Sequence, residues 1–145
     1  MSRAAVVAEA RAWIGTAYVH GAARRGGGTD CLGLVRGVWR ALVGREPEAV
    51  PPYTVDWDEA AGDEVLAAAA GRWLRPAEGD GPLPGQVLLF RMRAGGVAKH
   101  LGIVARVGDA PTFVHAYSGR GVLETSLSEP WRRRVVARHD FPLEF

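Results

Sequence analysis

Apolar residues recur at helical spacing in the first half of the chain and in short strand-like runs in the second. Residues 3–14 put Val6, Val7, Ala10, Trp13 and Ile14 on one side and stop at Gly15, which predicts an amphipathic first helix. Cys31, Val35, Val38 and Leu42 repeat at the same spacing, so a second helix is expected from residue 31 to about 43. Thr29 or Asp30 can cap its first turn, and Gly44 stands where a left-handed C-cap is expected. A third, alanine-rich helix is expected over residues 57–73, capped by Asp56. From Gln86 the pattern changes to β-branched and aromatic runs over residues 86–91, 99–107, 112–117, 121–125 and 134–141. Between these elements lie a glycine-rich loop over 16–29, a proline-bearing connection over 45–56 and a third loop over 76–85. Helices precede strands, which predicts an α+β fold, with N-terminal helices packed on a C-terminal antiparallel sheet or half-barrel. With no internal repeat and no low-complexity linker, residues 1–145 are expected to form a single domain.

Composition narrows the class. The chain has 145 residues, 48% hydrophobic and 23% charged, and no apolar run near the roughly 18 residues that would indicate membrane insertion. Arg3, Glu9 and Arg11 interrupt the stretch where a signal peptide needs its apolar region, so synthesis in the cytoplasm is expected. The net charge is +2, and the clusters Arg24-Arg25 and Arg132-Arg133-Arg134 read as solvated surface, since no nucleic-acid-binding motif accompanies them. The triplet Gly26-Gly27-Gly28 lacks the lysine and hydroxyl residue of a phosphate-binding loop and reads as a close-approach turn.

The chemistry gathers around the only cysteine. A helix N-terminus carries partial positive charge, which lowers the pKa of a thiol placed there and favours the nucleophilic thiolate. The same thiol also reads as a small buried hydrophobe, the commonest fate of a free cysteine. His100 opens one expected strand and His115 closes the next, fifteen residues on. A two- or four-residue loop centred near Gly108 puts both on one sheet face, whereas a five-residue loop without a compensating bulge puts them on opposite faces. If that face lies under the cysteine helix, Cys31 is a nucleophile, His100 its base and His115 the group orienting the base. The backbone amide of Cys31 then serves an oxyanion hole, and Tyr18 adds a hydroxyl donor. One cysteine and two histidines also compose a three-ligand zinc site, although no close ligand pair is present; no metal or cofactor is expected. His20 and His139 read as structural.

Five blocks carry a resemblance. They are Trp13-Ile14-Gly15-Thr16-Ala17-Tyr18, Asp30-Cys31-Leu32-Gly33-Leu34-Val35-Arg36-Gly37, Pro84-Gly85-Gln86-Val87-Leu88-Leu89-Phe90, His100-Leu101-Gly102-Ile103-Val104 and Phe113-Val114-His115-Ala116. In this order the chain resembles the NlpC family of cell-wall cysteine peptidases, most closely its phage-type branch. The resemblance implies a papain-like α+β fold with Cys31, His100 and His115 as the catalytic set. It also implies that Tyr18 and Asp30, which match the motif tyrosine and the aspartate before the cysteine, support substrate or oxyanion. Members of this family hydrolyse amide bonds in peptidoglycan stem peptides, commonly between D-glutamate and a diamino acid. The phage-type members accompany tail genes of phages, prophages and gene transfer agents, which implies tail proteins as partners and action at the cell wall of a target cell.

Two positions depart from the family pattern. Leu32 stands where many bacterial members have serine, and Gln86 where Pro-Gly-Asp is usual; the lost carboxylate reads as structural. Two other functions remain open: a tail component that keeps the fold without catalysis, and a thiol acyltransferase on the same scaffold. The loops over 22–28, 45–57 and 92–98 are expected to border the groove.

Overall fold

The computed structural model describes residues 1–48 and 65–145. Helix α1 (Arg3–Arg11) starts where the Ser2 hydroxyl accepts the Ala5 amide at 3.1 Å, and it buries Val6, Val7 and Ala10. It ends three residues before the expected boundary. The Gly15 amide donates to the Val122 carbonyl at 3.0 Å, which draws the chain off the helix axis. Trp13 stays in the core, but Ile14 turns outward and is 45% exposed. A two-residue hairpin, β1 (Ala23–Arg24) and β2 (Gly28–Thr29), follows inside the glycine-rich loop.

Helix α2 (Cys31–Leu42) buries Cys31, Leu34, Val35 and Val38, with Leu42 half-buried. Two glycines let it pack closely. A Cβ at Gly37 would overlap the Trp13 ring, and one at Gly33 would overlap the Ala22 carbonyl. Helix α3 (Val65–Trp73) accounts for the second half of the expected third helix; the first half, with its Asp56 cap, lies outside the described residues.

The strands are β3 (Arg75–Pro76), β4 (Val87–Arg91), β5 (Ala98–Arg106), β6 (Thr112–Tyr117), β7 (Gly121–Ser126) and β8 (Val135–Asp140), with a short helix α4 (Glu129–Arg132) before the last. They form an antiparallel sheet in the order β3-β8-β4-β5-β6-β7. Helices before sheet is the α+β arrangement read from the sequence. The two faces of the sheet have different contents. Val87, Leu89, Leu101, Ile103, Val114 and Ala116 share one core with α1 and α2. The alternate residues Leu88, Phe90, Val104 and Phe113 form a second cluster with Leu127, flanked by Trp131 of α4. Among the described residues, no helix is long and apolar enough to cross a membrane.

Candidate active site

The β5–β6 hairpin decides where the histidines stand. Its turn spans residues 107–111, five residues, so a regular ladder would have set His100 and His115 on opposite faces. A register shift between Val104 and Arg106 absorbs the odd residue. The pairs Val104–Phe113 and Ile103–Val114, continued by one, set His115 across from Gly102, diagonal to His100 and on the same face. The expected loop length is therefore corrected, while the shared face stands: His100 Nε2 and His115 Nδ1 are 2.8 Å apart.

That face is not the one under α2, as the sequence reading required. Alternation puts Leu101 and Ile103 beneath the helix and turns the histidines toward Phe90, Phe113 and Trp131. The thiol approaches through a split instead. The β5–β6 ladder runs from Arg106–Thr112 to Ile103–Val114 and stops, although both strands continue. Cys31 Sγ sits against the freed edge, 3.8 Å from the Lys99 carbonyl and facing the Leu101 amide, the two residues on either side of His100.

Electrostatics corrects a second expectation. Burial, and after it the Asp30 carboxylate, push the Cys31 thiol up to about 12, and the amides of Leu101, Leu32 and Cys31 itself offset this only in part. Desolvation outweighs the helix N-terminus at Cys31, a residue 7% exposed. Burial, then the neighbouring His115, push His100 down to about 3, and burial pushes His115 down to about 4. Burial thus favours the uncharged form of all three groups.

Asp30 is the α2 cap: Oδ1 accepts the Gly33 amide at 2.8 Å and Oδ2 accepts the Gly21 amide at 2.7 Å. A carboxylate that only accepts offers an oxyanion no donor, so Asp30 contributes by anchoring the loop and presenting Cys31. The amides of Cys31 and Leu32 converge on the sulfur and are placed to donate to a developing oxyanion. Tyr18 is held beside Thr29 by a parallel bridge. Burial, then the charges of Cys31 and Asp30, raise its phenol to about 12, so it remains a hydroxyl donor.

Of the other singled-out residues, His20 Nδ1 lies 3.9 Å from Asp30 Oδ2, and His139 is buried in β8 with its Nδ1 unpartnered. Gln86 is fully buried and ties the turn before β4 to β8: its Oε1 accepts from the Leu83 amide at 2.9 Å and from Arg138 at 3.1 Å. Two residues escaped the sequence reading. Thr125 Oγ1 lies 2.8 Å from His115 Nε2, and the Trp131 ring packs 5.2 Å from His115 and 5.8 Å from His100. Thr125 was findable, because His115 pairs with Leu123 and a strand returns to the same face two residues later. Nothing in the periodicity marks Trp131. Of the loops expected at the groove, residues 49–57 lie outside the described residues. Among the described residues no cluster of three or more His, Cys, Asp and Glu side chains is arranged to hold a metal.

No protein-family model matches the chain, and no curated protein does. Solved structures do. The NlpC/p60 domain of the peptidoglycan hydrolase SagA matches with a TM-score of 0.64 and 26% identity, covering 97% of this chain and 100% of that one. A lipoprotein-like NLP/P60 family protein of Staphylococcus aureus matches with a TM-score of 0.63 and 19% identity, over 98% of this chain and 42% of that one. An NlpC/p60 family protein from Bacillus cereus gives a TM-score of 0.65 at 13% identity, over 97% of this chain and 40% of that one. The fold is thus shared with NlpC/p60 domains, and the chain spans one such domain in full but about two-fifths of the two longer proteins.

Proposed function

We propose that this chain is a cysteine peptidase that hydrolyses peptide bonds in peptidoglycan. The observation that carries the reading is the placement of Cys31 Sγ on the backbone flanking His100, whose ring is held by His115 at 2.8 Å. Likeness to the SagA domain, a peptidoglycan hydrolase by name, supports the substrate class.

The reaction follows from the groups present. With a substrate carbonyl over Sγ, the thiol proton passes to His100 as the S–C bond forms, and the oxyanion meets the Cys31 and Leu32 amides. His100 returns that proton to the leaving amine as the C–N bond breaks. Water then attacks the thioester with His100 as base, releasing the acid and restoring the thiol. Burial favours the uncharged forms of Cys31 and His100, which suits transfer of the thiol proton to His100 as the S–C bond forms.

The finer reading rests on the sequence resemblance: cleavage between D-glutamate and the diamino acid of the stem peptide, by an enzyme carried with tail proteins of a phage-like particle and acting at the target cell wall. One observation favours a catalytically silent part instead, the burial of Cys31. Digestion of purified Gram-negative peptidoglycan, with released muropeptides identified by mass spectrometry, separates the two. Wild type is expected to release fragments ending in D-glutamate and Cys31→Ala none; no release by either protein would overturn the peptidase reading.

A further inference from the structure

The two histidines are joined to a third group that the reaction does not touch. His100 Nε2 lies 2.8 Å from His115 Nδ1, and His115 Nε2 lies 2.8 Å from Thr125 Oγ1. A neutral imidazole has one N–H donor and one acceptor nitrogen, so only two proton arrangements satisfy both contacts. In the first, His115 Nε2–H donates to Thr125 Oγ1 and His100 Nε2–H donates to His115 Nδ1. His100 Nδ1 is then a bare lone pair that can take a proton. In the second, the Thr125 hydroxyl donates to His115, His115 Nδ1–H donates to His100 Nε2, and His100 Nδ1 already carries its proton. The direction of the relay therefore decides whether His100 is a base.

Thr125 stands where this direction is set. It is half-buried, so its own proton can turn to water while its oxygen accepts. The reverse arrangement needs that hydroxyl proton for His115 Nε2, which withdraws it from water, and it ends with His100 Nδ1 already protonated. We propose that Thr125 is a positioning residue: by accepting from His115 it fixes the proton order of the relay and keeps His100 Nδ1 free for the Cys31 thiol. The inference deepens the peptidase reading and rests on His100 being the base.

The ¹⁵N spectrum of histidine-labelled protein at neutral pH reads the tautomers directly. Wild type is expected to hold both His100 and His115 in the Nε2–H form, and finding His100 as Nδ1–H would overturn the proposal without any variant. Thr125→Val keeps the shape and removes the acceptor. It is expected to convert both histidines to Nδ1–H and to lower kcat on a stem peptide by about tenfold or more with KM unchanged, the scale of one unpaired buried donor. Thr125→Ser restores the oxygen and should restore tautomers and kcat together. Unchanged tautomers in Thr125→Val, or a kcat loss that Thr125→Ser does not rescue, would mean a merely structural threonine. Because the spectrum needs no substrate, expected tautomers in a wild type that hydrolyses nothing would sink the peptidase reading and leave the relay standing.

Discussion

The two faces of the sheet are built from alternate residues of the same strands, and they do different work. One face, with Leu101, Ile103, Val114 and Ala116, is an aliphatic surface sealed by α1 and α2. The other sets His100 and His115 among Phe90, Phe113 and Trp131. The first face holds the helix that carries Cys31; the second holds the proton relay. They meet where β5 and β6 part beyond Ile103 and Val114 and the thiol reaches the backbone on either side of His100. A nucleophile and a base are thereby supplied by two separate cores, so mutations should separate stability from catalysis.

The sharpest break falls on the relay face. His100→Ala should reduce hydrolysis by the folded fraction by about a thousandfold, within the range for loss of a positioned base. Activity within tenfold of wild type would remove His100 from the mechanism. On the aliphatic face, Ile103→Ala deletes a fully buried side chain and should cost about 2–5 kcal/mol in urea denaturation, with kcat of the folded fraction little changed. Gly102→Ala tests the coupling of stability to the relay. Its Cβ would fall 2.6 Å from Phe113 Cδ2, and Phe113 packs 4.3 Å from His115, so a loss of about 1–3 kcal/mol should come with a lower kcat.

Acid should act through the relay face. His100 and His115 titrate in the fold below the 6.5 of a free imidazole, so as pH falls the unfolded chain takes up protons first. Stability is complete above pH 6.5 and is lost as pH falls toward the folded values near 4 and 3, by up to about 1.4 kcal/mol per pH unit for each histidine. Urea midpoints between pH 7 and 4.5 should show this slope in wild type and a shallower one in His100→Gln/His115→Gln. Smallest in equilibrium terms is the thiol. A Cys31 raised to about 12 should alkylate slowly at pH 7 without substrate, and fast alkylation would show the resting site to be open.

Much of this was legible from residue order because it depends on local rules. The cap at Asp30, the apolar stripe of α2 and the alternation of the strands are short-range patterns, and they place Cys31, His100 and His115 correctly along the chain. The pairing of the histidines was conditional on a turn length that residues 107–111 do not announce, and the shift near Ala105 belongs to the paired strands, not to either alone. Which face the helix covers was likewise set by packing: alternation says that Leu101 and His100 oppose each other but not which one meets α2. The thiol pKa failed as a sequence inference because burial is a property of the whole fold, and here it outweighs the helix terminus. Helix α4, with Trp131, is four residues long and too short for any periodic signal.

The central claim is that Cys31 forms a covalent acyl intermediate with a peptidoglycan stem peptide. Acid-quenching wild type during turnover and mapping the protein by mass spectrometry tests it directly. The account predicts a stem-peptide acyl group on Cys31, absent from Cys31→Ala and greatly diminished in His100→Ala. Hydrolysis that persists in Cys31→Ala, or an acyl group on any other residue, would contradict it.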